Sequence, residues 1–210
     1  MGFDTTRVNE FDAWRKGADE LLGRAGLDSS EPYLLVSLGT GTSAMRVDGE
    51  AAERVGGTAL GGGTLLGLAT ALLGTASFPE IVELARQGDR REVDLLLSDI
   101  YRSGDSPLPG EATASSFAKL ARLGPGARPA APDLAKALMV LVGENVALVC
   151  AGLAAVEGVK RVVFGGSSLR ENTPLVGILR VVTAALGREP IMLPDGEFAG
   201  ALGALLLAAG

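Results

Sequence analysis

From residue 10 to residue 25 apolar and polar positions alternate with the spacing of an amphipathic helix. YLLVSL (33–38) is a short apolar run stopped by Gly39, the pattern of a buried strand. SAMRV and AERVGG flank DGE, whose Asp-Gly pair marks a hairpin turn. Gly62–Leu73 then reads as a helix, so three strands lead into one helix. From about 75 to 130 the chain is more polar and more helical. In SFPEIVELARQGD, Ser77 is placed to cap, Pro79 and Glu80 sit in the first turn, and Gly88 terminates. GDSPLPGEATASS and GPGARPAAP are loops, and GDRRE reads as a helix start capped by Asp89 with its arginines exposed. The remainder predicts a long helix (133–157), a strand (160–166), a helix (172–187), a strand (190–193) and a final helix in EFAGALGALLLAA. The order βββ-α-(insert)-α-β-α-β-α points to an α/β protein with a mainly parallel sheet covered on both faces.

Composition narrows the chemistry. The 210 residues suffice for one good core or two small lobes around a cleft, and 47% hydrophobic content with 21% charge is that of a globular protein. The net charge is −6, with no Lys/Arg block longer than a pair, which argues against nucleic acid or an anionic membrane as partner. There is no histidine, so catalysis falls to carboxylates, hydroxyls, Lys/Arg and backbone amides. The single cysteine, Cys150, sits in an apolar helical run, reads as a buried small hydrophobe and forms no intrachain disulfide. That suits a reducing cytosol, and MGFDTTRVNEFDAWRKG is too polar for a signal peptide, so the expected location is cytoplasmic. LAKALMVLVGENVALVCAGLAAV (134–156) is long enough to span a bilayer, but Lys136, Glu144 and Asn145 make a buried helix the better reading.

Three stretches place glycines and small hydroxyls just beyond a strand or before a helix: SLGTGTS (37–43), RVGGTALGGGTLLGL (54–68) and VVFGGSSLREN (162–172). In the second, Gly61, Gly62, Gly63 and Thr64 suit an anion site, where helix amides are unpaired and missing side chains admit a phosphate. The same glycines also suit a tight turn with close helix–sheet packing. Ligands of open α/β sheets gather at the carboxyl edge of the strands, and three such loops are expected to converge there.

These stretches, with NEFDAW, ARQGDRREVDLLLSDIY, LPGEATASSFAKL, VGENV and DGEFAGALGALLL, resemble the type II pantothenate kinases of the acetate-kinase, sugar-kinase and actin superfamily. The resemblance runs in order from about residue 9 to the C-terminus. It implies an actin-like ATPase (ribonuclease H-like) fold, a homodimer, and phosphorylation of pantothenate by ATP with Mg2+ at the start of coenzyme A biosynthesis. It assigns the catalytic base to Glu10; read alone, Glu10 is a solvated acid at a helix start. Arg54 matches the arginine that contacts pantothenate or a CoA-type inhibitor, and its donor fork suits a carboxylate or phosphate. Thr40 and Ser43 match positions lining the same pocket, Thr40 also serving the nucleotide. Gly62, Gly63, Thr64, Leu65 and Leu66 match the nucleotide-binding run, Ser167 the last ATP-contacting loop, and Phe78 a position near the nucleotide or, equally, a core aromatic. No metal ligand is assigned. Trp14 reads as a helix anchor.

The family's opening strand and DxGGT phosphate loop have no counterpart in these residues; in GFDTTRV (2–8), Asp4 precedes two threonines and no glycine pair. The expected organisation is therefore a remnant of the first lobe over 1–32, with the helix bearing Glu10, and a nucleotide- and substrate-binding α/β lobe over 33–210 with a helical insert at about 75–130. Two other functions stay open: a non-catalytic module that binds pantothenate or acyl-CoA, and a kinase for another small alcohol.

Overall fold

The Asp48-Gly49 turn forms as the sequence predicts, with Gly49 at φ 58°, and it sets the direction of half the sheet. The computed structural model describes residues 7–102, 104–105 and 109–209; Asp4 and part of the GDSPLPGEATASS loop lie outside them. Helix α1 (Glu10–Arg24) is followed by β1 (Tyr33–Leu38), β2 (Thr42–Asp48) and β3 (Ala51–Thr58), then α2 (Gly62–Leu73) and α3 (Phe78–Gln87). After a short ladder of β4 (Leu95–Leu96) and β5 (Thr113–Ser115) come α4 (Ala131–Val156), β6 (Arg161–Gly165), α5 (Thr173–Ala185), β7 (Glu189–Met192) and α6 (Ala199–Ala209).

The main sheet has the order β3-β2-β1-β6-β7. β1 pairs with β6 and β6 with β7 in parallel, but β1–β2 and β2–β3 are antiparallel. The sheet is therefore mixed, which corrects the expectation of a mainly parallel one: connections as short as Gly39–Gly41 and Gly49–Glu50 reverse a strand and leave no length for a crossover.

Alternation in β1 splits the core in two. Leu34, Val36 and Leu38 join Val162, Phe164 and the helices α2 to α5 on one face. Leu35 and Tyr33 join Met45, Val163 and α1 on the other, with Ala199 of α6. Trp14 packs on this second core as the anchor its position predicts. Helix α4 is long and apolar enough to cross a bilayer, and here it packs its Leu138, Val142, Val146 and Cys150 against the sheet. Burial raises the Cys150 thiol to about 12, as befits a buried hydrophobe.

Helices α1 and α6 meet backbone to backbone. A Cβ on Gly17 would run into the Ala199 carbonyl oxygen, and one on Gly203 into that of Ala13.

The insert is less helical than predicted. Beyond α3 it holds isolated 3-10 turns and the β4–β5 ladder, too short for any periodicity to announce. Arg90, predicted to be exposed, is mostly buried instead: it pairs with Glu144 of α4 at 3.2 Å and also bonds Thr113 and the Glu111 carbonyl, which draws the ladder onto α4. Arg91 is exposed, and Asp89 caps the 3-10 turn. Ser77 makes no side-chain cap bond; Glu80 accepts from the Thr75 hydroxyl at 2.6 Å.

Candidate active site

One carbonyl oxygen ties the three glycine-containing loops together. Gly39, just after β1, accepts from the Gly62 amide at 2.8 Å and from the Ser168 hydroxyl at 2.9 Å. The neighbouring Thr40 carbonyl accepts from the Gly63 amide at 2.9 Å. Thr42 adds a further clasp, its buried hydroxyl donating to the Leu60 carbonyl at 2.7 Å. The convergence predicted from sequence is thus present at the carboxyl edge of β1 and β6.

The same bonds correct the role expected of the glycines. The Gly62 and Gly63 amides donate to the β1–β2 loop and are not left unpaired for a phosphate. A Cβ on Gly62 would collide with the Ser168 hydroxyl, and one on Gly63 would come within 2.7 Å of the Thr40 side chain. These glycines are required for close approach, the alternative that the sequence left open.

Around this knot lies a cleft of about 520 Å3, into which Thr40, Gly62, Gly63, Leu66, Phe78 and Ser167 all open. Six predicted nucleotide residues therefore share one concavity. Phe78 lines the cleft and also packs against the main core, as the core-aromatic reading expects. Leu65 does not belong to the cleft wall: it has no exposed surface and serves the core. Thr64 turns its hydroxyl to the Ala59 carbonyl, 3.1 Å away, and is not among the lining residues. Ser168 and Arg170 also line the cleft; both stand in the SSLREN stretch, where the sequence assigns a site role to Ser167 alone. A second cleft of about 330 Å3 lies on the other side of the 167–169 turn, and Arg170 borders both.

Arg54 and Ser43 form a separate pair on the other side of β1. The Arg54 Nε lies 3.3 Å from the Ser43 hydroxyl, which accepts its hydrogen bond. Arg54 sits opposite Met45 in the β2–β3 ladder, so both point to the α1 face of the sheet. A register shift beside Val55 then lets Gly57 face Ser43 on the same side. The guanidinium needs that glycine, because a Cβ there would lie 3.3 Å from its Nη2.

Glu10 opens α1, behind an Asn9 cap whose side chain accepts from the Phe11 amide at 2.8 Å. The helix runs antiparallel to β1 and β6. Asp19 accepts from the Tyr33 hydroxyl at 2.7 Å near the start of β1, and Trp14 packs by Gly165 at the end of β6. Burial first, and then the Asp19 carboxylate, push the Tyr33 phenol well above its ordinary value and keep it a donor. Glu10, one turn before Trp14, is exposed at the carboxyl edge of the strands, on the face that carries Arg54. It lines neither cleft. Among the described residues no three carboxylates or cysteines gather to hold a metal, and the larger cleft is lined by no carboxylate.

A mixed five-stranded sheet between two helical layers, with a glycine-lined cleft at its carboxyl edge, is an arrangement of the actin-like ATPase fold. Solved structures agree on the fold. A ROK hexokinase from Thermus thermophilus superposes with a TM-score of 0.54 at 17% identity, covering 97% of this chain and 66% of that one. The activator of 2-hydroxyisocaproyl-CoA dehydratase from Clostridium difficile, solved with ADPNP, gives 0.58 at 16% identity, over 96% of this chain and 66% of its own. The chain thus spans about two thirds of these structures. Sequence relatives are nearer. The type II pantothenate kinase of Staphylococcus epidermidis is 37% identical over 198 residues, 94% of this chain and 74% of the relative. That of Oceanobacillus iheyensis is 33% identical over 205 residues, 98% of this chain and 76% of the relative. The Fumble family profile matches residues 11–207. The chain belongs to this family, that of the type II pantothenate kinases.

Proposed function

We propose that this protein transfers the γ-phosphate of ATP to the primary hydroxyl of pantothenate, giving 4'-phosphopantothenate and ADP, the first step of coenzyme A biosynthesis. The observation that carries this reading is the placement of two sites on either side of one hairpin. The cleft of Thr40, Leu66, Phe78 and Ser167 lies towards β6, and the Arg54–Ser43 pair lies towards β3. ATP occupies the first as its Mg2+ complex, the ion held by the phosphates. Pantothenate lies by the second, its carboxylate drawn to the exposed Arg54 guanidinium. Glu10 takes the proton of the pantothenate hydroxyl as that oxygen forms its bond to the γ-phosphorus; the bond to the β-phosphate oxygen breaks and ADP leaves with the electron pair. CoA or an acyl-CoA competes at Arg54, having the same pantothenyl portion. The protein works in the cytoplasm as a homodimer, for which the exposed Leu148 and Val149 of α4 offer an apolar surface.

The test is ATP- and Mg2+-dependent phosphorylation of pantothenate by the purified chain, with Glu10→Gln in parallel. Expected are turnover by the parent and a loss in kcat of about 100-fold or more in the variant, with little change in either KM. A variant as active as the parent would remove Glu10 from the chemistry. Saturable pantothenate or CoA binding without any turnover would make the chain a binding module, and turnover with another alcohol in preference to pantothenate would change the substrate.

A further inference from the structure

The sheet order decides which end of a nucleotide lies where. Arg54 and Ser43 belong to β3 and β2 on one flank of β1, and the 167–169 turn follows β6 on the other. With the phosphate acceptor on the β2–β3 side, the γ-phosphate of a nucleotide in the larger cleft points at the Gly39–Gly41 hairpin and its base lies towards β6. Leu66 of α2, Phe78 at the start of α3 and Arg170, just after the 167–169 turn, all line this cleft.

Arg170 is the one charged side chain among the described residues lining that cleft. Its backbone is held firmly. The preceding turn is clamped by the Gly166 amide on the Gly196 carbonyl at 3.1 Å and by Ser168 on Gly39. Asn172, 1% exposed, donates to the Ser168 carbonyl at 3.1 Å and accepts from the Leu175 amide at 3.2 Å. The Arg170 side chain is 63% exposed, and among the described residues its one ion-pair partner is Glu197, with 3.7 Å between Nε and Oε1. An ion pair that long and that exposed is weak, so it orients the guanidinium without tying it down.

We propose that Arg170 recognises the base: its guanidinium plane stacks on the purine opposite Leu66 and Phe78, and Glu197 is a positioning residue that sets the tilt of that plane. This rests on the reading of the larger cleft as the ATP site. A guanidinium is flat, weakly hydrated and stacks on π faces, which an ammonium does not do.

Calorimetric titration of the purified chain with ATP and, separately, with adenosine tests it. The wild type binds both. Arg170→Ala weakens both by the same factor, about tenfold, the size of a partly desolvated cation–π contact. Arg170→Lys keeps the charge, loses the plane and recovers little. Glu197→Gln weakens adenosine binding about threefold in the wild type and leaves Arg170→Ala unchanged, the coupling expected of a residue that acts only through its neighbour. The side chain is exposed, and an unaltered near-ultraviolet circular dichroism spectrum shows that the variants are folded. Loss of ATP affinity with adenosine affinity intact would move Arg170 to the phosphates and overturn the inference, as would equal binding of both ligands by wild type and Arg170→Ala. A wild type that binds neither ligand would instead overturn the ATP-site reading, and this inference with it.

Discussion

The Ser168 hydroxyl donates to the Gly39 carbonyl oxygen across 129 residues of chain, at 2.9 Å, and the Gly62 amide shares that acceptor. Two sequence-distant loops thereby hold the hairpin residues Gly39 and Thr40 in the wall of the cleft.

Gly62→Ala brings a methyl group onto the Ser168 hydroxyl and is expected to cost about 2 kcal/mol in urea unfolding, as overpacking does. Ser168→Ala alone forfeits one hydrogen bond, about 1 kcal/mol. The double variant should cost clearly less than the sum. With the oxygen gone, the nearest remaining neighbours of the new methyl are the Gly39 carbonyl at 3.1 Å and the Ser168 Cβ at 3.4 Å. Strict additivity would sink the argument.

Arg54→Ala should raise the KM for pantothenate by about 10–100-fold, the worth of a charged hydrogen bond. Stability should change by less than about 0.5 kcal/mol because the side chain is exposed. Gly57→Ala should lose both affinity and stability, since its methyl would press on the Thr42 carbonyl as well as on the guanidinium. An unchanged pantothenate KM in Arg54→Ala would place the substrate elsewhere.

Gly203→Ala forces α1 and α6 apart and is expected to cost about 3 kcal/mol or more. Its kcat should fall too, because the helix displaced is the one that begins at Glu10. Gly152→Ala on α4 has nothing within 4 Å of the added carbon and should stabilise by about 0.5–1 kcal/mol. Thermal melts of the two variants moving in the same direction would contradict this reading of the helix crossing.

Asp94 has no exposed surface, and burial raises its carboxyl above the ordinary 3.8, against the Phe117 amide and Arg90 that favour the charged form. Between 3.8 and the raised value the folded protein holds more protons than the unfolded chain. Asp94 therefore costs stability progressively as pH rises through that window, and the cost persists above it. Asp94→Asn keeps an acceptor for the Phe117 amide, 2.9 Å away, and removes the charge. Its stability relative to wild type should improve as pH rises above the ordinary 3.8 through that window and then level off. Chemical unfolding at several pH values measures this; a difference that does not vary with pH would show that Asp94 does not titrate in the folded state.

Much of the secondary structure was legible because it is written in local patterns. YLLVSL is buried on both faces and bounded by Gly39, and the strand has those ends. The helix from Gly62 to Leu73 also begins and ends where its apolar run and glycines predict. The β4–β5 ladder was not legible, because two- and three-residue strands carry no period and this pair lies beside a network around Arg90 that joins residues up to 54 positions apart. Arg90 and Arg91 are adjacent and alike in sequence; the position of Glu144 on α4 draws one inward, while the other stays exposed and pairs with Asp89 and Glu111.

The cleft divides in the same way. The sequence by itself determined which residue types stand at each loop: glycines where backbones approach, short hydroxyls between them, an arginine at position 54 and a glutamate at a helix start. Only the tertiary structure decided that the Gly62 and Gly63 amides are spent on Gly39 and Thr40, that Leu65 turns into the core while Leu66 faces the cleft, and that Arg170 borders two clefts. The physical reason is reach. Backbone propensity and side-chain period act over a few residues, whereas a hydrogen bond or a close approach is satisfied by whatever the fold brings alongside, and no pattern along the chain records which partner that will be.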